Sequence, residues 1–253
     1  MSDRPSVLSV SGLRLEPDSP PIDVEIEAGR IVGLAGLDGH GQDLFIQALA
    51  GLHASPEGSI EAMTEKGGQP VRTYAEAGRA GLAYLPSDRK KNGIFPMLGV
   101  ADNFLLGSAE EFAPRGWIRS KHVREKLEAF RKELSMSFAS YTTPIRNLSG
   151  GNQQKVLLAR IMAANPRVLL LNDPTRGVDI QTRHALYDYF RRAVNELGMT
   201  IVLFSTELDE LVELCDEVLV FRDAGIFSTL PRAELSLDGL MQSMFGQGEG
   251  ATA

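Results

Sequence analysis

Leu148-Ser149-Gly150-Gly151-Asn152-Gln153-Gln154-Lys155 sets a hydroxyl and two glycines at the entry to a helix. Ser149 is suited to cap that helix, because its side-chain oxygen accepts from a backbone N–H of the first turn. Glycines there let a ligand approach the unpaired N–H groups, so the segment predicts an anion-binding helix terminus. Further on, the apolar run Val168 to Leu171 leads into Asn172-Asp173-Pro174-Thr175-Arg176-Gly177-Val178-Asp179. A buried strand that ends in polar residues and a turn is where α/β proteins gather their ligand-binding loops.

The same pattern repeats outward from this stretch. Ile31 to Ala35, Val168 to Leu171 and Ile201 to Phe204 are predicted as buried strands of a mainly parallel sheet. Val7 to Leu15 and Ile22 to Ile26 are predicted as shorter strands, and Val218 to Arg222 with Ile226 to Thr229 as a late hairpin turning at Ala224-Gly225. Between about 95 and 165 the texture is helical. Arg119 to Leu134 carries Val123, Leu127, Phe130 and Leu134 at a spacing that makes one apolar face. Its lysines and arginines alternate with Glu125, Glu128 and Glu133, which marks a solvated face rather than a nucleic-acid patch. The fold class is α/β, expected as one domain over 1–245 with a flexible tail at 246–253.

A second glycine-rich turn follows the first buried strand. Gly36-Leu37-Asp38-Gly39-His40-Gly41-Gln42-Asp43 precedes an apolar helix expected to begin near Leu44. Three glycines between a strand and a helix make a nest of N–H groups that suits phosphate. The phosphate-loop pattern G-x-x-x-x-G-K-[ST] is met at Gly36 and Gly41. It is not met at Gln42, where a lysine would reach the phosphates, nor at Asp43, where a hydroxyl would hold Mg²⁺. Taken alone, the loop fits phosphate binding and plain packing equally well.

Composition narrows the partners. A formal charge of -7 argues against a nucleic-acid binder, since phosphate contact needs a basic face. No run approaches the ~18 apolar residues of a spanning helix, and the start lacks the regions of a signal peptide, so a cytoplasmic location is expected. The one cysteine, Cys215, excludes an internal disulfide and reads as a buried thiol among Leu211, Val212, Leu214 and Val218.

The order of glycine loop, Tyr84-Leu85-Pro86-Ser87, LSGG-type signature, acidic strand end and Phe204-Ser205-Thr206-Glu207 resembles the ABC-transporter ATPases across most of the chain. Asp88-Arg89-Lys90-Lys91-Asn92-Gly93, LSGGNQQK and PTRGVD resemble the second half of the two-domain ATPases of ribose-, galactose- and xylose-type importers. The chain looks like that half alone, as a separate subunit or an excised piece. The resemblance implies a P-loop NTPase fold with a RecA-like core, an antiparallel β subdomain and a helical signature subdomain. It implies ATP and Mg²⁺ as cofactors, and a site shared between two ATPase domains.

Residue by residue, the resemblance assigns Gly36, Gly39, Gly41, Gln42, Asp43 and Leu44 to the phosphate loop. It puts Asn172 at the metal-holding aspartate, Asp173 at the catalytic glutamate as a weak general-base candidate, Ser87 at a usual glutamine and Thr206 at the switch histidine. Mg²⁺ would fall to Asp43, Asn172 and Ser87. Ser149, Gly150, Gly151, Asn152, Gln153 and Asp179 match the parts given to the facing domain. Every departure thus falls on this chain's own site, and every part lent across the interface is kept.

The function so implied is a nucleotide-binding importer subunit, at the cytoplasmic face of the membrane, for a monosaccharide. Its partners would be a second ATPase domain with intact lysine and glutamate, transmembrane permease subunits and, indirectly, an external binding protein. A nucleoside importer fits the signature wording too. A non-transport pseudo-ATPase scaffold is the alternative from another class, discriminated by the absence of any ABC partner. Arg89, Lys90 and Lys91 are read either as a permease contact or as a solvated turn, and His40 either as a phosphate neighbour or as a loop residue.

Overall fold

The computed structural model describes residues 4–107 and 117–246, so residues 247–253 of the expected tail lie outside the described residues. The chain divides into two compact units. One comprises Met1–Tyr84, Arg167–Asp173 and Arg191–Ala253; the other comprises Leu85–Pro166 and Pro174–Phe190.

The first unit is built on two sheets. Strands β1 (Ser6–Arg14), β2 (Ile22–Glu27), β4 (Glu57–Thr64) and β5 (Gly67–Pro70) form an antiparallel sheet in the order β2-β1-β4-β5. Strands β3 (Ile31–Gly36), β6 (Leu82–Leu85), β7 (Val168–Asn172), β8 (Thr200–Phe204), β9 (Glu217–Arg222) and β10 (Gly225–Pro231) form the second, in the order β10-β9-β3-β8-β7-β6. β3 pairs in parallel with β8 and β9, and β7 with β8, as the continuous apolar runs require of strands covered on both faces. The α/β fold with a mainly parallel sheet is therefore as the apolar runs predict, and the separate antiparallel sheet is as the family resemblance implies.

Helix α1 (Gln42–Leu49) packs on β3, β7 and β8 through Phe45, Ile46 and Leu49, all fully buried. Phe45 lies 5.2 Å from Phe221 of β9, ring centre to ring centre. This packing fixes where α1 begins, and so where its unpaired N–H groups point. The helix starts at Gln42, two residues before the expected Leu44, with Gly41 (φ 99°) as its cap. The late hairpin also differs by one residue. Its turn is Asp223-Ala224, both at positive φ (51° and 57°), and Gly225 already pairs with Arg222. Two left-handed residues suit the tight turn whose twist matches the strands.

Short helices α2 (Tyr74–Arg79), α7 (Leu208–Leu214) and α8 (Leu237–Met244) complete the first unit. Cys215, at the end of α7, is buried as expected, and burial pushes its thiol well above the usual range.

The second unit is helical: α3 (Val100–Leu105), α4 (Ser120–Glu133), α5 (Gly150–Met162) and the start of α6 (Ile180–Asn195). In α4, Val123 and Leu127 are buried, in keeping with the predicted apolar face. A single π turn, Arg89–Gly93, precedes α3.

Candidate nucleotide site and signature surface

The phosphate loop lies wholly in the first unit. Gly39 (φ 80°) and Gly41 (φ 99°) adopt backbone that other residues rarely reach. A side-chain carbon at Gly41 would lie 2.8 Å from Ala224 Cα, so glycine is also required there for space. The N–H of Phe45 donates to Gly41 O at 2.8 Å. Helix geometry leaves the N–H groups of Gln42, Asp43 and Leu44 without partners inside the helix. These amides are the part of the loop that fits phosphate, and they need no side chain to do so.

Gln42 stands where the phosphate-loop pattern has a lysine. It is only 3% exposed, and its Nε2 donates back to the loop carbonyls of Gly36 (3.2 Å) and Leu37 (2.9 Å). Its Oε1 is buried without a partner and sits 2.7 Å from where a side-chain carbon on Gly36 would lie. Its donors are thus engaged on carbonyls, and a neutral amide stands where phosphate charge would be offset. His40 belongs to the same loop: its N–H donates to Leu37 O, its carbonyl accepts from Ala224, and its Nδ1 is buried without a partner.

At the ends of β7 and β8 the remaining candidates converge. Asn172 is buried, and its Nδ2 donates to Tyr84 Oη at 3.0 Å. The Tyr84 phenol is raised above its usual range, first by burial and to a lesser degree by the Asp43 carboxylate. Asp43 and Asn172 therefore both bear on Tyr84 within one unit. Asp173 is buried at φ 51°, uncommon for a non-glycine residue. Its Oδ1 accepts from both the backbone N–H and the hydroxyl of Thr206, each at 3.2 Å, and its Oδ2 also accepts from that hydroxyl. The base candidate is thus tied to the residue at the switch position. Oxygen donors at Asp43 and Asn172 fit a hard cation such as Mg²⁺, with one carboxylate between them. Ser87 lies in the second unit, beside a small cleft with Asp88 and Arg176. Among the described residues no group of three or more His, Cys, Asp or Glu side chains could hold a metal ion.

The signature is in the second unit. Ser149 caps α5 as expected, accepting from the Asn152 N–H at 3.3 Å and from its Nδ2 at 3.0 Å. Asn152 Oδ1 takes the N–H of Ser137 at 2.7 Å. Gln153 is 7% exposed and turns inward, with Nε2 on the carbonyls of Ile145 and Leu148. Gln154 donates to Pro174 O at 2.6 Å, and Lys155 to Ser135 O at 3.2 Å. Burial lowers the Lys155 ammonium. Side chains from 152 to 155 thus tie the first turns of α5 to Ser135, Ser137, Ile145, Leu148 and Pro174. Asp179 accepts from Thr182 N (2.8 Å) and Oγ1 (2.9 Å), capping α6, and these bonds hold its carboxyl below the usual range. A side-chain carbon at Gly151 would lie 2.7 Å from Thr182 Oγ1 and 3.2 Å from Asp179 Oδ2.

Residues 20–176 match the family described as ABC transporter. The chain belongs to that family. ATP with Mg²⁺ is the family's nucleotide. An uncharacterized ABC transporter ATP-binding protein, YphE of Escherichia coli, is 35% identical over 239 residues, covering 94% of this chain and 47% of that protein. The ribose import ATP-binding protein RbsA 2 of Rubrobacter xylanophilus is 34% identical over 95% of this chain and 46% of its own length. The xylose import ATP-binding protein XylG of Burkholderia ambifaria is 37% identical over 87% and 41%. The chain spans about half the length of the curated relatives it matches. Among solved structures, the ATP-binding cassette MJ1267 in its ADP conformation superposes with a TM-score of 0.77, at 16% identity and 96% coverage of each chain. The post-hydrolysis cassette MJ0796 bound to ADP and Pi gives 0.74, at 17% identity, covering 89% of this chain and 98% of that one. These likenesses establish the fold.

Tyr84, Gln154 and Thr182 carry bonds to the site that sequence reasoning passed over. The nearest signal was position: Tyr84 and Gln154 lie within the recognised motifs, and Thr182 lies three residues after Asp179.

Proposed function

We propose that this chain is the nucleotide-binding half of an ABC importer motor, with an unequal division of labour between two ATP sites. Its own loop holds ATP through the amides of Gln42, Asp43 and Leu44, with Asp43 and Asn172 as the oxygen donors that would hold Mg²⁺. Mg²⁺ there would neutralise phosphate charge. The loss of the lysine removes an attraction worth about 4 kcal/mol for unit charges ~4 Å apart at an effective dielectric near 20. Asp173, shorter than glutamate and bonded to Thr206, is poorly placed to take a proton from water, and a ~1 Å error costs on the order of 10²-fold. Thr206 has no group that titrates near neutral pH, as a histidine would. Hydrolysis at this site is therefore slow.

The signature residues Ser149, Gly150 and Gly151, with Asp179, serve ATP held by a second ATPase domain with intact lysine and glutamate. The observation that carries this reading is the engagement of Gln42 Nε2 on Gly36 and Leu37, set beside a signature helix that Gln153 ties to Ile145 and Leu148. Among the described residues no helix is long and apolar enough to cross a membrane; this reading assigns passage of the cargo to permease subunits. The chain would dock on them at the cytoplasmic face, with an external binding protein delivering the cargo. Names of relatives such as the ribose and xylose import proteins favour a monosaccharide. The test is co-purification with a second ABC ATPase and a permease, then counting of nucleotide per dimer with Mg²⁺. One nucleotide turning over and one retained is expected; two equivalent sites would refute the asymmetry.

A further inference from the structure

Three separated motifs meet at one guanidinium in the second unit. Arg89 Nη1 donates to Arg176 O at 2.7 Å, and Nη2 donates to Gly177 O at 3.3 Å. The same Nη2 lies 2.6 Å from where a side-chain carbon on Gly150 would sit, and Gly177 O lies 3.1 Å from that point. So DRKKNG, the signature and PTRGVD close on a single planar fork. Glycine at 150 makes room for the arginine as well as for any phosphate.

The fork is held firmly at its own end. Arg89 opens the π turn, and the Asp88 carboxylate caps that turn by accepting from the N–H groups of Lys90 and Lys91, both at 3.1 Å. The far end, Gly93, packs against Leu157 of α5, and its carbonyl accepts from Arg160 of the same helix. Arg89 is half-buried and forms the shared wall of two clefts, of about 560 and 240 Å³. Both acceptors of the Arg89 fork are backbone carbonyls, which is the work of a brace, and a guanidinium offers them two separate nitrogens held in one fixed plane.

We propose that Arg89 is a positioning residue that locks the signature glycines and the Arg176–Gly177 turn into one surface for the partner's nucleotide. This rests on the reading that the signature serves a partner site. The test uses the importer complex that co-purifies with the chain, and hydrogen exchange on the chain itself. In Arg89→Ala, kcat is expected to fall about tenfold or more with KM for ATP within about twofold, the mark of a group acting on the transition state through geometry. Arg89→Lys stays low, because an ammonium cannot bridge both carbonyls in one plane. Added methylguanidinium restores part of the Arg89→Ala rate, which a merely structural loss would not permit. Amides of 150–152 and 177–179 exchange faster together, while β3, β7 and β8 are unchanged.

Normal turnover in Arg89→Ala, in a complex that Gly151→Asp inactivates, would overturn the proposal. If Gly151→Asp leaves turnover intact, the partner-site reading itself has failed. The exchange experiment then still decides on Arg89: joint loosening of the two segments supports the brace, and unchanged exchange overturns it.

Discussion

The phosphate loop and the signature are both glycine-bearing entries to a helix, and each has a glutamine folded onto the carbonyls behind it. In the signature, Gln153 holds Ile145 and Leu148, and nothing the glycines need is displaced. In the loop, Gln42 holds Gly36 and Leu37 at the position where the chemistry asks for a cation. On the proposed reading, the same side chain doing the same thing is harmless in one place and disabling in the other. What a helix terminus contributes through its backbone survives substitution around it. What depends on a charged side chain at one position does not.

The contrast is broken most severely at Gly151. Gly151→Asp puts a carboxylate beside Thr182 and Asp179, and turnover of the importer complex is expected to fall about 10²-fold or more, measured as phosphate release. Gln42→Ala, in the other unit, should leave that rate nearly unchanged. Restoring the cation sharpens the comparison from the other side. Gln42→Lys is expected to tighten ATP binding by this chain about tenfold, measured by titration calorimetry, most of the raw Coulomb gain being offset by burial of the ammonium. A smaller effect concerns Mg²⁺. Phosphate loops usually combine a hydroxyl on the loop with a carboxylate on the strand, whereas here the loop offers the Asp43 carboxylate and the strand the neutral Asn172 amide. Asp43→Ser should remove most of the gain in ATP affinity that Mg²⁺ gives over EDTA, and Asp43→Ser with Asn172→Asp should return it. No loss in the single variant would detach Asp43 from the metal.

The smallest effect is one of pH. Asp179 has its carboxyl held low by Thr182 and, more weakly, by Lys155. Its contribution to stability is full above the unfolded value near 3.9 and disappears as pH falls through the lower folded value. Asp179→Asn should therefore flatten melting temperature against pH on that acid side, with little change in the slope near neutrality.

Much of this was legible beforehand. β3, β7 and β8 announce themselves as unbroken apolar runs, and Ser149 with its glycines announces a capped helix. Strands β4 and β5 were not predicted, because only Ile60 and Ala62 of Glu57–Thr64 are buried and β5 is Gly-Gly-Gln-Pro. The pairing of β4 with β1 is long-range and leaves little local pattern, and β5 joins only β4. At the site, the phosphate-loop pattern marked Gln42 as a departure, and the family resemblance marked Asn172 and Asp173. It gave no direction to their side chains, so the bonds from Gln42 to the loop, from Asn172 to Tyr84 and from Thr206 to Asp173 came only with the fold. Arg89 was open between two surface roles. Its carbonyl partners are 87 and 88 residues away in sequence, beyond any local signal.

The most direct test is to load the chain alone with labelled ATP and Mg²⁺ and identify the bound nucleotide over time. Retention of intact ATP, with negligible phosphate release in both the native chain and Asp173→Ala, is the expected result. Sustained Mg²⁺-dependent hydrolysis by the chain alone would contradict the account, and its loss in Asp173→Ala would place the chemistry at the carboxylate assigned here a failing role.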